Sequence, residues 1–139
     1  MNIQVTPSHI SMEKLWPTNR VFPSELQINV NVNFVNLERK DKTKCTLRFI
    51  HTVNYNPSVA MMSIRGVVNV EATEEEIKEI MSKKLNQIPA RIMQATTNFC
   101  IANSVILSQV LGVPPPLPSF VSKPDVEAPV MSRNASVYI

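Results

Sequence analysis

The side chains able to do acid–base, nucleophilic or metal chemistry are few in this sequence and poorly grouped. Its only imidazoles are His9 and His51, and its only thiols are Cys45 and Cys100. Two cysteines without a Cys-x-x-Cys pair make neither a zinc site nor a disulfide framework. Each is expected to be a small buried hydrophobe. Two histidines assemble no metal cluster and no His-based triad, so His51 is expected in a satisfied niche on or beside an apolar face. The densest carboxylates, Glu74-Glu75-Glu76, follow Thr73 in the pattern of a capping box and suit the positive end of a helix dipole. They read as structural rather than as an acid/base pair. No Gly-x-Ser-x-Gly or His-Glu-x-x-His occurs, and two glycines cannot write a phosphate-cradling loop. The chain is expected not to be an enzyme and to need no cofactor and no metal.

Charge narrows the partners. The net charge is +3, and the densest cluster, Glu38-Arg39-Lys40-Asp41-Lys42-Thr43-Lys44, sets four basic side chains against two acidic ones. With few aromatics interleaved it reads as a solvated turn, and no nucleic acid is expected as partner. No apolar run approaches the roughly 18 residues of a membrane span, and MNIQVTPSHI lacks the pattern of a secretion signal. A cytoplasmic protein without membrane insertion is therefore expected. Asn134-Ala135-Ser136 spells a glycosylation acceptor but carries little weight without such a signal.

Few as these groups are, the elements around them are well marked. Ile3, Val5, Ile10 and Met12 suggest a first strand with a break or bulge at Pro7. Trp16-Pro17-Thr18-Asn19 and Pro23-Ser24 are turn chemistry, which leaves Trp16 and Phe22 to cover a core edge or line a groove. Leu26, Ile28, Val30, Val32 and Phe34 alternate with Gln27, Asn29, Asn31 and Asn33, the period of a strand. Its amide face is either solvated or meets another subunit. Cys45, Leu47, Phe49, His51, Val53 and Tyr55 form the apolar face of a second such strand, joined to the first as a hairpin. After a turn at Asn56-Pro57-Ser58, Ala60, Met62, Ile64, Gly66, Val68 and Val70 form the face of a third. Gly66 there marks a bulge or the close approach of a helix. Thr73 to Lys84 reads as a short helix with Ile77, Ile80, Met81 and Leu85 on its apolar side and Lys83-Lys84 at its end.

The longest element follows. Pro89 suits a first helical position and Gly112 the left-handed residue past the end. Ile88, Ile92, Ala95, Phe99, Ala102, Ile106 and Val110 recur at helical spacing as the expected buried face. Val113-Pro114-Pro115-Pro116-Leu117-Pro118 is then a polyproline II arm. It either folds back as a cover or is offered to a partner.

Four strands, a short helix, Ile88-Pro89, a long helix, Gly112 and the Pro-Pro-x-Leu-Pro arm together resemble the SecB family of protein-export chaperones over residues 3 to 119. The resemblance implies an α+β fold: a four-stranded antiparallel sheet packed on a long C-terminal helix and a short helix. It implies one domain over residues 1–119, with 120–139 a loosely ordered tail. It further implies an ATP-independent chaperone (a holdase) that binds unfolded or precursor polypeptides, with protein export as one use, as a cytoplasmic homotetramer, a dimer of dimers. The arm would be the crossover framing the client groove, with Val113, Leu117 and Phe120 as groove residues. Trp16 and Phe22 join them from the residue reading alone. The family engages the SecA motor through an acidic surface, whereas this chain is basic, so a SecA-type motor is doubtful as partner. The competing functions are a small-molecule or lipid carrier and a chaperone dedicated to one client, such as an antitoxin.

Overall fold

The structure, a computed structural model, describes residues 1–117. Phe120 and the expected tail at 120–139 lie outside the described residues. The elements are β1 (Asn2–Lys14), β2 (Gln27–Asp41), β3 (Lys44–Asn56), β4 (Ala60–Glu71), α1 (Glu74–Ser82), a 3-10 turn (Leu85–Gln87) and α2 (Ala90–Leu111). The strands form one antiparallel sheet in the order β1-β4-β3-β2, so β1 and β2 are its edges. The α+β class expected from the sequence is the class observed.

β3 and β4 follow the sequence alternation without a slip. Every one of Cys45, Leu47, Phe49, His51, Val53 and Tyr55 is buried, as is every one of Ala60, Met62, Ile64, Gly66, Val68 and Val70. These are the two central strands, where one face must be covered. The edges depart from expectation. β1 runs unbroken through Pro7, which an edge strand tolerates because no ladder partner needs its missing N–H. Its burial nevertheless changes phase by one residue between Val5 and Met12, as an extra residue in a strand would make it do. β2 continues to Asp41, so the charged stretch is mainly the exposed end of an edge strand, not a turn. Charged side chains there discourage edge-to-edge pairing with other chains. The reversal itself is Lys42-Thr43. The Thr43 N–H donates to Asp41 Oδ1 at 2.8 Å, and this bond holds the Asp41 carboxyl below its ordinary range.

By contacts the chain makes two compact units. The first comprises Met1–Ser11, Asn31–His51 and Ser63–Cys100. Its buried side chains include Leu47, Phe49, Ile64, Val68, Ile77, Ile80 and Ile92. Gly66 is required within it: a Cβ there would lie 2.7 Å from Pro7 Cα, 3.0 Å from Phe49 Cε1, and against Thr6 O. The close approach expected at Gly66 is thus made by the β1 backbone and a ring of β3, not by a helix. The capping box opens α1 as read: Thr73 Oγ1 accepts from Glu76 N–H, and the Thr73 N–H donates to the Glu76 carboxylate. α1 ends at Ser82, however, leaving Lys83 as its C-cap rather than in its last turn. Lys83 instead pairs with Glu79 at 3.4 Å, one helical turn back.

The second unit comprises Met12–Val30, Thr52–Met62 and, among the described residues, 101–117. Its core is Val53, Tyr55, Val59, Ala60, Met62 and Val113, with Met12, Trp16, Phe22, Leu26, Leu107 and Leu111 packed against it.

α2 is where periodicity misled. Pro89 lies just outside the helix and supplies its first acceptor, taking the Met93 N–H at 3.2 Å. The side chains buried along α2 are Ile92, Thr96, Cys100, Ser104 and Ser108, spaced strictly four apart, rather than the large apolar series. Small residues let a helix backbone approach its neighbours closely. Their hydroxyls cost little because Thr96 donates to Ile92 O at 2.8 Å and Ser108 to Val105 O at 2.6 Å. Ala102, Ile106 and Val110 face outward, with Ile106 58 % and Val110 75 % exposed.

Candidate polypeptide-binding site

Because β1 and β2 lie at opposite edges of the sheet, the residues joining them, 15–26, must cross it. This connector, rather than the polyproline arm, is therefore the crossing segment. Its conformation is set locally. The Leu15 N–H donates to Val59 O at 2.9 Å, and a turn closes where the Arg20 N–H meets Pro17 O at 3.2 Å. The Trp16 indole N–H donates to Val21 O at 3.2 Å. Two cations cover the two aromatics: the Arg20 guanidinium lies 4.9 Å from the Trp16 ring centre, and Lys14 Nζ lies 5.7 Å from that of Phe22. Each ring thus has an apolar side on the core and a cation on another, an arrangement that holds an aromatic in place at modest energy. Between them the connector leaves Leu15 45 % and Val21 86 % exposed.

The arm folds back as a cover. A Schellman pair ends α2, with the Gly112 N–H on Gln109 O at 3.2 Å and the Val113 N–H on Ser108 O at 3.0 Å. Gly112 has the positive φ of 67° this motif requires. Val113, Pro114, Pro115 and Pro116 are buried and Leu117 is half-buried. The buried Tyr55 phenol donates to Pro114 O at 2.5 Å, tying the arm to β3. Removal from water pushes that phenol well above its usual range.

Three of the residues singled out from the sequence, Trp16, Phe22 and Val113, therefore share one cluster, and Leu117 follows on the arm beside it. Val113 lies in the core of that cluster, and Leu117 is the more exposed of the two. The sequence reading passed over Leu15 and Val21, the most accessible apolar side chains of the connector. It also passed over Lys14 and Arg20, whose flanking of Trp16 and Phe22 was the available signal.

The reactive groups are not part of this cluster. Burial lowers the His51 pKa, opposed by a backbone hydrogen bond with Asn31, so the ring is neutral at pH 7. Burial likewise raises the Cys45 thiol and pushes Cys100 up to about 12, which leaves both protonated and unreactive. Among the described residues no group of three or more His, Cys, Asp or Glu could hold a metal ion. No helix among them is long and apolar enough to cross a membrane.

No protein-family model matches this sequence, and no curated protein matches it. Solved structures do. The Mycobacterium tuberculosis SecB-like chaperone Rv1957, solved in complex with a ChAD peptide from the HigA1 antitoxin Rv1956, superposes with a TM-score of 0.57. The match covers 83 % of this chain and 87 % of that one. The fold is SecB-like. At 13 % sequence identity the likeness is one of fold. In this SecB-like chain the β1–β2 crossing carries the aromatic pair, while the α2 exit carries the cover.

Proposed function

We propose that the protein is an ATP-independent chaperone that holds unfolded or precursor polypeptide against the connector. The supporting observation is the connector itself: Trp16 and Phe22 are fixed on the core while Leu15 and Val21 stay open to solvent. Exposed apolar side chains on a preorganised segment suit capture of a non-native chain, because little ordering entropy is spent on the binder. The client site in this reading is Trp16, Phe22 and Leu117, extended by Leu15 and Val21, with Val113 beneath. Holding precursors for export falls within the reading, and a SecA-type motor is not proposed as a partner. Light scattering of an aggregating client tests it. Stoichiometric protein should suppress the signal, and the double variant Leu15→Asp/Val21→Asp should need severalfold more protein for equal suppression. Absence of suppression by the unaltered protein would overturn the reading.

Assembly as a cytoplasmic dimer of dimers belongs to the same proposal. Its support is α2, which carries no charge beyond Arg91 and presents Ala102, Ile106 and Val110 to solvent. A helix apolar on more than one side is ordinarily covered on more than one side. Native mass spectrometry should give a species near four times 15.6 kDa, and Val110→Glu should shift it to smaller forms.

A narrower reading is a chaperone dedicated to one client. The antitoxin peptide held by the SecB-like neighbour favours it. Suppression confined to a single co-expressed client, with none for generic unfolded proteins, would select it.

A further inference from the structure

The first unit carries a surface that client holding does not use. On the sheet face away from the core, Arg48 and Ile50 alternate with buried residues of β3, and Arg65 and Val67 alternate with buried residues of β4. The register is set by the Ala72 N–H on Thr43 O at 2.9 Å and by Thr46 bonded to Asn69 at 3.5 Å. Continued along the ladder, it places Arg48 opposite Val67 and Ile50 opposite Arg65. The two guanidinium-bearing residues therefore stand on one diagonal and two apolar residues on the other. A concavity of about 480 Å³ opens here, lined also by His9 and Val35. A second, of about 310 Å³, is lined by Lys44, Asn69 and Gln4, with Glu71 as the acidic residue in its lining. Among the described residues neither Arg48 nor Arg65 has a carboxylate partner; the ion pairs are Lys40 with Glu38, Lys78 with Glu74 and Lys83 with Glu79, and Lys44 acts on the Asp41 carboxylate.

We propose that this face binds an acidic, extended polypeptide segment of a partner protein, with Arg48 and Arg65 each taking a carboxylate. Diagonal neighbours on a sheet lie roughly 7–8 Å apart. Carboxylates at alternate positions of an extended chain lie about 7 Å apart, which matches that diagonal. Unpaired guanidinium groups bind carboxylates through two parallel hydrogen bonds. The Asn, Gln and Thr side chains alongside supply donors and acceptors to a peptide backbone. Nucleic acid fits less well, because the concavities are lined by no exposed aromatic for base stacking.

A fluorescein-labelled peptide alternating Glu with Ser, titrated into the full chain and followed by anisotropy, tests the assignment. It has no apolar side chain for the connector to hold, so its binding is separable from client binding. Saturable binding is expected, weakening several-fold between about 50 and about 300 mM salt. The double variant Arg48→Glu/Arg65→Glu should weaken it at least roughly tenfold while leaving client suppression and the thermal midpoint unchanged. Arg48→Lys/Arg65→Lys should retain most of the affinity. Peptide affinity within twofold of the original in the charge-reversed variant would overturn the proposal. So would tighter binding of an oligothymidine of equal charge.

Discussion

Replacing Gly66 by alanine should destabilise the protein by about 2–4 kcal/mol, the largest effect expected of any single added methyl group in the described chain. The added Cβ would sit 2.7 Å from Pro7 Cα and against Thr6 O, and both partners are backbone. A flexible side chain could swing aside; a strand cannot. Relief would require β1 to lift from β4, and β1 is an edge strand with no neighbour on its other side. Phe49 Cε1 at 3.0 Å closes the remaining direction. Gly112→Ala provides the contrast. It meets no atom within 4 Å but must hold a φ of +67°, so its loss should stay near 1 kcal/mol. Urea unfolding of both variants measures the difference. Equal midpoints for the two would refute the crowding argument.

Tyr55→Phe should lower stability by about 1–3 kcal/mol, since it leaves the buried Pro114 carbonyl without its donor. The local effect should be visible separately. Trp16 is the only tryptophan and packs on the same cluster, so loosening of the arm should change its emission before global unfolding. The phenol also predicts an alkaline limb. Its pKa is raised in the folded state by burial, whereas an unfolded tyrosine ionises near pH 10. Above that pH the unfolded chain gives up a proton that the folded chain keeps, so stability falls as pH rises. The loss should be about 1 kcal/mol between pH 10 and about 11. The phenylalanine variant, lacking the group, should lose that part of the slope. An identical alkaline limb in both proteins would show that the phenol contributes nothing to it.

The legibility of the chain depended on how many faces each element had to cover. β3 and β4 are central and one-sided, so every inward residue from Cys45 to Tyr55 and from Ala60 to Val70 could be named from alternation alone. Thr73 and Glu76 were equally plain, because a capping box satisfies its bonds within four residues. Gly112 was legible for the same local reason. The candidate site was half legible. Trp16 and Phe22 stood out as aromatics in a turn-rich connector. That they share a cluster with Val113 depends on β1 and β2 taking opposite edges, which no local signal specifies.

Sequence alone thus determined the strands, both helices, the Thr73 cap of α1, the Gly112 stop of α2 and the folding class, since each follows from a period or a bond that closes nearby. Only the tertiary structure decided which side of α2 is buried. That helix has no charge beyond Arg91, and its uncharged polar residues, Gln94, Thr97, Asn98, Asn103 and Gln109 among them, are spread around it, so periodicity marks no single polar face. The choice fell to close approach, which Thr96, Cys100, Ser104 and Ser108 permit and larger side chains would block. The same decision turned Ile106 and Val110 outward. Tertiary structure alone also set Arg48 and Arg65 on one diagonal, because register between strands is a property of the pair.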